Sequence, residues 1–175
     1  MFANDKAILD MQNEHGIIEP FSMDNLQPAS YDVTLSDSFK VQSEGMIMPY
    51  KSKSEAKYIE LKQDSYLLPS KGFVLASTVE KVRVPSFACC RFEGKSSLGR
   101  IGLTTHVTAG FIDPGFQGNI TLEIANLGNA DILLEAGMSI GQICFALLCG
   151  EPMRKYGEAG NHYQGQSGTT SPWYT

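Results

Sequence analysis

The stretch THVTAGFIDPGFQGNITLEIAN, residues 105–126, combines a tight turn with an alternating strand. Asp113, Pro114 and Gly115 are residue types that favour turns. Beyond the turn the side chains alternate, which places Ile120, Leu122 and Ile124 on one face of a strand and Thr121, Glu123 and Ala125 on the other. A period of two is typical of β-structure, so this stretch predicts a turn followed by a β-strand.

Short segments of the same kind occur along most of the chain. They cover residues 31–35, 39–41, 58–61, 72–78, 87–92, 119–126, 131–134 and 140–148, separated by Gly, Pro, Asn or Asp. Residues 5–15 have helical spacing instead, with Asn4 as N-cap and Gly16 as the stop. An α/β sheet would need long helices between its strands. We therefore predict an all-β fold with short helices, a distorted β-barrel or jelly-roll.

The composition is that of an ordinary globular domain. The chain has 175 residues, of which 42% are hydrophobic and 19% charged, and this is the size of a single core. No apolar run approaches the roughly 20 residues of a membrane helix, and the N-terminus does not resemble a secretory signal. The net charge of −5 disfavours a general nucleic-acid surface. We expect a cytoplasmic protein with no membrane or nucleic-acid partner.

Two segments carry candidate chemistry, and each has a plainer alternative. EGKSSLGR, residues 93–100, supplies two glycines, two hydroxyls and two cations in one turn. These groups suit a polyphosphate, but the segment is not a P-loop and a solvated polar turn fits the spacing equally well. Glu123 projects from an apolar strand, which suits a carboxylate that moves protons near neutral pH. A solvent-facing Glu on an exposed sheet face is the alternative.

The cysteines and the chain end complete the pattern. Four cysteines, at 89, 90, 144 and 149, match no common zinc-ligand spacing, so we expect free thiols, mostly in or near the core.

Residues 157–175 are rich in Gly, Ser, Thr and Gln without periodicity. They predict a flexible tail after a barrel domain of residues 1–156. The tail's aromatic residues Tyr163, Trp173 and Tyr174 would still allow it to dock.

Four segments together resemble a known family. GKSSLGRIGLTTHVTAGFIDPGFQGNITLE (94–123), PASYDVTL (28–35), IGQICF (140–145) and YGEAGNHYQGQSG (156–168) are similar to the dCTP deaminases of the dUTPase superfamily, in the same order. The resemblance implies a distorted, dUTPase-like β-barrel that forms a homotrimer with three active sites between its subunits. It also implies dCTP bound with Mg²⁺ on its phosphates and no metal ligand from protein side chains.

The resemblance implies deamination without zinc. Zinc deaminases carry H-x-E and P-C-x-x-C, and neither motif occurs in this chain. In the family, the residue at the position of Glu123 abstracts a proton from water and returns one to the pyrimidine as ammonia leaves. Ser96 and the backbone carbonyl of Ala109 would hold that water, and Arg100 would support the developing charge. Asp113 would bind the sugar or organise water beside the phosphates.

The nucleotide-contact positions of the family fall on residues from several segments of this chain. They are Lys95, Ser96, Ser97, Leu98, Gly99, Arg100, Asp113, Thr121, Leu122, Glu123, Gln142, Tyr156, His162 and Gln166. The tail would then be a lid that closes over the nucleotide. Two positions depart from the family pattern, which normally has Arg at Lys95 and usually Lys at His162. These changes predict weaker triphosphate binding or a different nucleotide preference.

The residues after Thr108-Ala109 separate two kinds of enzyme within the resemblance. Enzymes that release dUTP usually have a His-Arg pair there, whereas Gly110 and Phe111 resemble the bifunctional group, which also hydrolyses dUTP to dUMP and diphosphate. The interpretation is a bifunctional enzyme. The alternatives are an enzyme that stops at dUTP and a catalytically silent nucleotide-binding regulator. A plain dUTPase is disfavoured because Asp113 does not begin a D-x-x-Y pattern.

Overall fold

A computed structural model describes residues 1–43, 57–158 and 160–172. Two α-helices are present, α1 (Asp5–His15) and the one-turn α2 (Ser96–Gly99), together with a 3-10 helix at Met23–Asn25. The strands are β1 (Ile18–Glu19), β2 (Leu26–Gln27), β3 (Ser30–Gln42), β4 (Tyr58–Lys62), β5 (Ser65–Leu68), β6 (Phe73–Arg83), β7 (Ala88–Gly94), β8 (Leu103–Thr104), β9 (Phe111–Ile112), β10 (Gln117–Asn126), β11 (Ile132–Glu135) and β12 (Ser139–Leu147). The all-β prediction is confirmed.

Ten of these strands form one curled antiparallel sheet. Its main path runs β8-β10-β6-β3-β12-β7-β9, with β1 added to β6 and with β2 and β4 added to β3. The long strand β3 joins the two halves, since its first part pairs with β12 and its second part with β6 and β4. β5 and β11 form a separate antiparallel pair. β3 therefore acts as the corner around which the sheet curls.

The opening helix has the ends that the sequence predicts. The Asn4 side chain accepts a hydrogen bond from Ala7 N at 3.0 Å, and this satisfies one of the free N–H groups of the first turn. Gly16 ends the helix in the left-handed conformation, with φ of 57°. Ile8 and Met11 are buried, so the helix packs its apolar face against the sheet. The helix prediction over residues 5–15 is confirmed.

The strand predictions hold for the longer elements and for the four-residue β11, and they miss five short strands. Segments 31–35 and 39–41 join into the single strand β3, while β1, β2, β5, β8 and β9 were not predicted. These last five strands have two to four residues each, too short to show a period. EGKSSLGR contains a one-turn helix rather than a simple turn. Trp173 and Tyr174 of the tail lie outside the described residues.

One core of apolar side chains fills the space inside the curled sheet. Its largest fully buried members include Tyr31, Phe39, Phe92, Phe145 and Leu122.

All four cysteines are free. Burial raises the pKa of the Cys90 thiol well above its ordinary value, while Cys149 is exposed. Among the described residues, no helix has the length and apolarity that crossing a membrane requires.

Candidate active site

A cavity of about 520 Å³ opens over the outer face of β10, beside Glu123. Several residues from the sequence analysis line it together, although they come from distant parts of the chain: Ala109, Phe111, Asp113, Thr121, Glu123, Tyr156 and Gln166. Aromatic and aliphatic side chains make most of the remaining wall. A large apolar cavity with a few polar groups directed into it is typical of a site for a small organic ligand.

The Glu123 carboxylate is tied to the loop of residues 105–110. Its Oε2 accepts hydrogen bonds from the backbone N–H groups of Val107 at 3.0 Å and Thr108 at 3.1 Å. Glu123 is half-buried, because the loop covers the strand at this point. Charge-assisted bonds to two backbone donors hold the carboxylate in one orientation beside the cavity. The loop and the carboxylate therefore form one unit.

Gly110 lets this loop pack closely against β7. A Cβ at this position would lie 2.9 Å from Phe92 O and 3.3 Å from His106 Cε1, and both are closer than ordinary contacts. The carbonyl of Gly110 accepts a hydrogen bond from Phe92 N at 2.8 Å. Its φ is not in the left-handed region, so the backbone conformation itself does not require glycine here. The requirement is for space beside a backbone carbonyl.

A second, polar cavity of about 480 Å³ lies along the 94–105 segment and contains a different part of the predicted set. Lys95, Ser96, Gly99 and Gln142 line it. Lys95 Nζ donates to Asp32 Oδ2 at 2.5 Å and to Ser139 Oγ at 3.0 Å, so its charge already has an acidic partner. Ammonium and hydroxyl groups in a recess are suited to an anion, and Asp32 restricts how much of that charge is available.

Asp32 and Ser30 were missed by the sequence analysis. Both lie in the PASYDVTL segment, and the available signal was their position on β3, which pairs with β12 so that Asp32 lies opposite Gln142. Ser30 Oγ donates to Gln142 Oε1 at 2.7 Å. Ser30 orients Gln142 and Asp32 orients Lys95. The sequence analysis had placed Gln142 and Lys95 among the nucleotide-contact positions.

The structure does not bring all of the predicted residues together within one chain. Ser96 and Arg100 are exposed on and beside α2, and neither lines the Glu123 cavity. His162 is also exposed and outside that lining. Leu122 is 1% exposed and packs in the core, which leaves only its backbone for a ligand. Among the described residues, the predicted nucleotide-contact set is therefore divided between two separate cavities, and five of its members line neither of them: Ser97, Leu98, Arg100, Leu122 and His162.

The tail residues lie along the cavity instead of extending away from the barrel. Tyr163, Gln166 and Thr170 line the cavity, and Gly165 N donates to Gln117 O at 2.8 Å. Tyr156 packs edge-on against Phe116, with ring centroids 5.6 Å apart. Burial raises the pKa of the Tyr156 phenol, so the hydroxyl stays protonated and can donate a hydrogen bond at neutral pH.

The family model described as dCTP deaminase-like matches residues 2–148. This chain belongs to the dCTP deaminase-like family. The match includes both cavity-forming segments, the loop with Gly110 and the strand with Glu123, and it ends before the tail. The sequence resemblance is thereby confirmed.

Curated relatives in this dCTP deaminase-like family cover nearly the whole chain. A protein named "dCTP deaminase, dUMP-forming" from Pseudarthrobacter chlorophenolicus is 42% identical over 98% of this chain and 94% of its own. One of the same name from Mycobacterium avium is 46% identical over 87% of this chain and 84% of its own. The first of these matches is long enough to include most of the tail.

A solved structure agrees with the fold. The crystal structure of 2'-deoxycytidine 5'-triphosphate deaminase from Agrobacterium tumefaciens aligns with a TM-score of 0.66 and 20% identity. The alignment covers 84% of this chain, which spans about half (48%) of that longer structure. At this identity the likeness supports the curled all-β architecture of the family and nothing more specific.

Proposed function

We propose that this chain deaminates dCTP to dUTP without zinc and then hydrolyses the dUTP to dUMP and diphosphate. The observation that carries the proposal is the Glu123 carboxylate, which two backbone N–H groups fix beside a cavity of about 520 Å³. The same loop contains Gly110, packed where a Cβ does not fit. Relatives 42% and 46% identical are named "dCTP deaminase, dUMP-forming", which supports both steps.

In the first step, Glu123 acts as general base and then as general acid. It takes a proton from water as the oxygen attacks C4 of the cytosine, and it returns a proton to the ring or amino nitrogen so that ammonia leaves. Ser96 and the carbonyl of Ala109 hold the water, and Arg100 stabilises the developing charge. Preorganised groups of this kind are commonly worth about 3 kcal/mol of the barrier each. One water enters and one ammonia leaves.

Completion of this site requires a second subunit. Within one chain, Ser96 lines the other cavity and Arg100 lines neither, so both are outside the Glu123 cavity. We therefore propose the homotrimer that the family resemblance implies, with the α2 segment of one subunit facing the Glu123 cavity of the next. A closed ring of three subunits gives each cavity one such partner. The active sites are then three in number and lie between subunits.

The nucleotide is held from three sides. Lys95 binds the triphosphate together with the turn that follows it, which contains Ser97, Leu98 and Gly99. Asp113 binds the sugar or the water beside the phosphates. Thr121, the Leu122 backbone and Gln142 face the nucleotide from the strands, while Tyr156, His162 and Gln166 close over it from the tail.

Magnesium fits this scheme as an ion that arrives with the triphosphate. Among the described residues, no group of three or more His, Cys, Asp or Glu could hold a metal by itself. The donors that line the polar cavity are an ammonium, hydroxyls and an amide, which suit phosphate oxygens. When bound, Mg²⁺ neutralises phosphate charge. Lys95 and the α2 turn position the phosphates.

We place the protein in the cytoplasm, or in the host cytoplasm if it is viral.

The second step uses the same bound nucleotide. Water attacks the α-phosphorus of dUTP, and diphosphate leaves, so that one water yields dUMP and diphosphate. Gly110 and Phe111 allow the compact loop beside Glu123 that we associate with this step, because Gly110 lies where a larger residue would meet Phe92 O. An enzyme that stops at dUTP would need a different loop at this point.

Product analysis tests the proposal. Purified protein with Mg²⁺ is incubated separately with dCTP and with dUTP, and the nucleotides are separated by chromatography while ammonia is measured. We expect dUMP from both samples and ammonia from dCTP alone. If dUTP accumulates from dCTP and added dUTP persists, the enzyme is monofunctional. Absence of turnover in both samples would favour a silent nucleotide-binding regulator. A zinc chelator should leave the rates unchanged.

A further inference from the structure

Asn119 lies at the start of β10 and was not part of the predicted site. It is 6% exposed, and its Nδ2 donates to three carbonyl oxygens of β6, those of Thr78 at 3.0 Å, Val79 at 3.1 Å and Glu80 at 3.3 Å. Carbonyl oxygens only accept hydrogen bonds, so the amide nitrogen must face β6. The orientation of the side chain is thereby fixed, and its Oδ1 points the other way.

The opposite side of Asn119 holds the tail. Its Oδ1 accepts a hydrogen bond from Gly168 N at 3.1 Å. Its backbone N donates to Gln166 O at 3.1 Å, and its backbone O accepts from Gln166 Nε2 at 2.6 Å. Asn119 therefore makes three hydrogen bonds to the tail, in addition to its three bonds to β6. Its side chain holds Gly168, and its backbone holds Gln166, a residue that lines the Glu123 cavity.

The neighbours of Asn119 continue this attachment along the edge of β10 that faces away from β6. Thr170 N donates to Thr121 Oγ1 at 3.1 Å. At Gly118 a Cβ would lie 2.7 Å from Gln166 O, so the tail backbone runs directly against the strand. The tail thus lies against β10, the strand that carries Glu123, and Asn119 is at the middle of this contact.

We propose that Asn119 is a positioning residue that fastens the tail over the Glu123 cavity and fixes Gln166 before any nucleotide binds. It acts through Gln166 and does not touch the substrate itself. The attachment is a property of the free protein, whereas its effect on nucleotide affinity rests on the proposed function. A tail held in place in advance loses less conformational freedom when the ligand binds, and this favours affinity.

Asn126 supplies a matched control on the same strand. It is 1% exposed, and its Nδ2 donates to the carbonyls of Leu68, Pro69 and Ala130 at 3.3, 3.2 and 2.8 Å. Its Oδ1 accepts from Gly128 N at 2.9 Å. The chemistry is that of Asn119, but none of these partners belongs to the tail. Equal substitutions at the two positions separate fastening of the tail from general loss of stability.

The experiment compares Asn119→Asp with Asn126→Asp. In each variant a carboxylate oxygen replaces the amide nitrogen opposite three carbonyls, and the repulsion between these oxygens should displace the side chain and lower the melting temperature. In Asn119→Asp the displaced side chain also loses the hydrogen bond that its Oδ1 accepts from Gly168 N. Without nucleotide, hydrogen exchange across residues 162–172 should be about tenfold faster in Asn119→Asp and unchanged in Asn126→Asp. The KM for dCTP should rise about tenfold in Asn119→Asp alone, with kcat within about twofold of wild type.

Tail exchange that stays at the wild-type rate in Asn119→Asp would overturn the proposal, as would equal acceleration in both variants. If Asn119→Asp does not fold, the wild-type protein decides, because the amide of Gly168 must then be protected from exchange without nucleotide. An unprotected Gly168 amide contradicts the proposal. The exchange readout needs no turnover. A protein that fails to form dUMP but shows the fastened tail would refute the proposed function and leave this inference standing.

Discussion

Glu123 receives its orientation from a loop that lies 15 and 16 residues earlier in the chain, through Thr108 N and Val107 N. Glu123→Gln keeps an oxygen that can accept both of these bonds, but the amide cannot take a proton from water. Ammonia release from dCTP should therefore fall at least about a thousandfold, while the nucleotide Kd changes by less than about threefold. An ammonia assay and titration calorimetry with dCTP measure the two quantities.

The control for this substitution is Glu60→Gln, since Glu60 is a surface carboxylate paired with Lys40 at 2.7 Å and outside both cavities. Its deamination rate should equal that of wild type. Deamination at near the wild-type rate in Glu123→Gln would remove Glu123 from its role as base, and the cavity would need another proton acceptor.

Single residues were predictable where local chemistry or the family resemblance marks them. Asn4 and Gly16 follow helix-end rules, which depend on neighbours within one turn. The partner of Lys95 is Asp32, 63 positions away, and the partners of Asn119 are 39 to 49 positions away. Such pairs form only after β3 meets β12, β6 meets β10 and the tail meets β10. No local pattern contains them.

The loop of residues 105–110 is the element on which the bifunctional interpretation depends. Gly110→Ala places a Cβ 2.9 Å from Phe92 O, and a backbone carbonyl of a core strand cannot easily move. The loop should shift and carry the Val107 and Thr108 N–H groups away from Glu123. We expect both deamination and dUTP hydrolysis to fall by about tenfold or more, because a displacement near 1 Å commonly has a large effect on rate.

The matched control is Gly150→Ala, because nothing lies within 4 Å of a Cβ at Gly150 and its φ is not positive. That variant should retain both rates. Separate assays with dCTP and dUTP measure the two steps. If Gly110→Ala keeps wild-type rates in both, the close packing at Gly110 has no part in either reaction.

Long elements were predictable, whereas of the two four-residue strands β11 was predicted and β5 was not. The sequence divides β3 at Ser36-Asp37-Ser38, where polar residues interrupt the apolar alternation, but the strand continues through a register shift between Leu35 and Phe39. The hydroxyls of Ser36 and Ser77 meet there at 2.8 Å, so polar residues are satisfied within the sheet. β5 was missed because its four residues become a strand by pairing with β11.

At the scale of the whole molecule, most of the predicted residues are divided between two cavities of one chain. The cavity with Glu123 lacks Ser96 and Arg100, and the cavity along the 94–105 segment lacks Glu123. The motifs in the sequence indicated which residues belong to the site, but they did not indicate that these residues are divided between two cavities. Burial and separation in space appear only in the folded chain. The proposed trimer, in which each subunit supplies both surfaces, would account for the division.

Complementation between two inactive variants tests this account most directly. Subunits with Arg100→Ala and with Glu123→Gln carry different affinity tags, are expressed together, and mixed trimers are isolated through both tags. In any mixed ring of three, one site has an intact Glu123 facing an intact Arg100, so dCTP turnover to dUMP should reach about a third of wild type. Turnover no higher than that of the separate variants would contradict an active site shared between subunits.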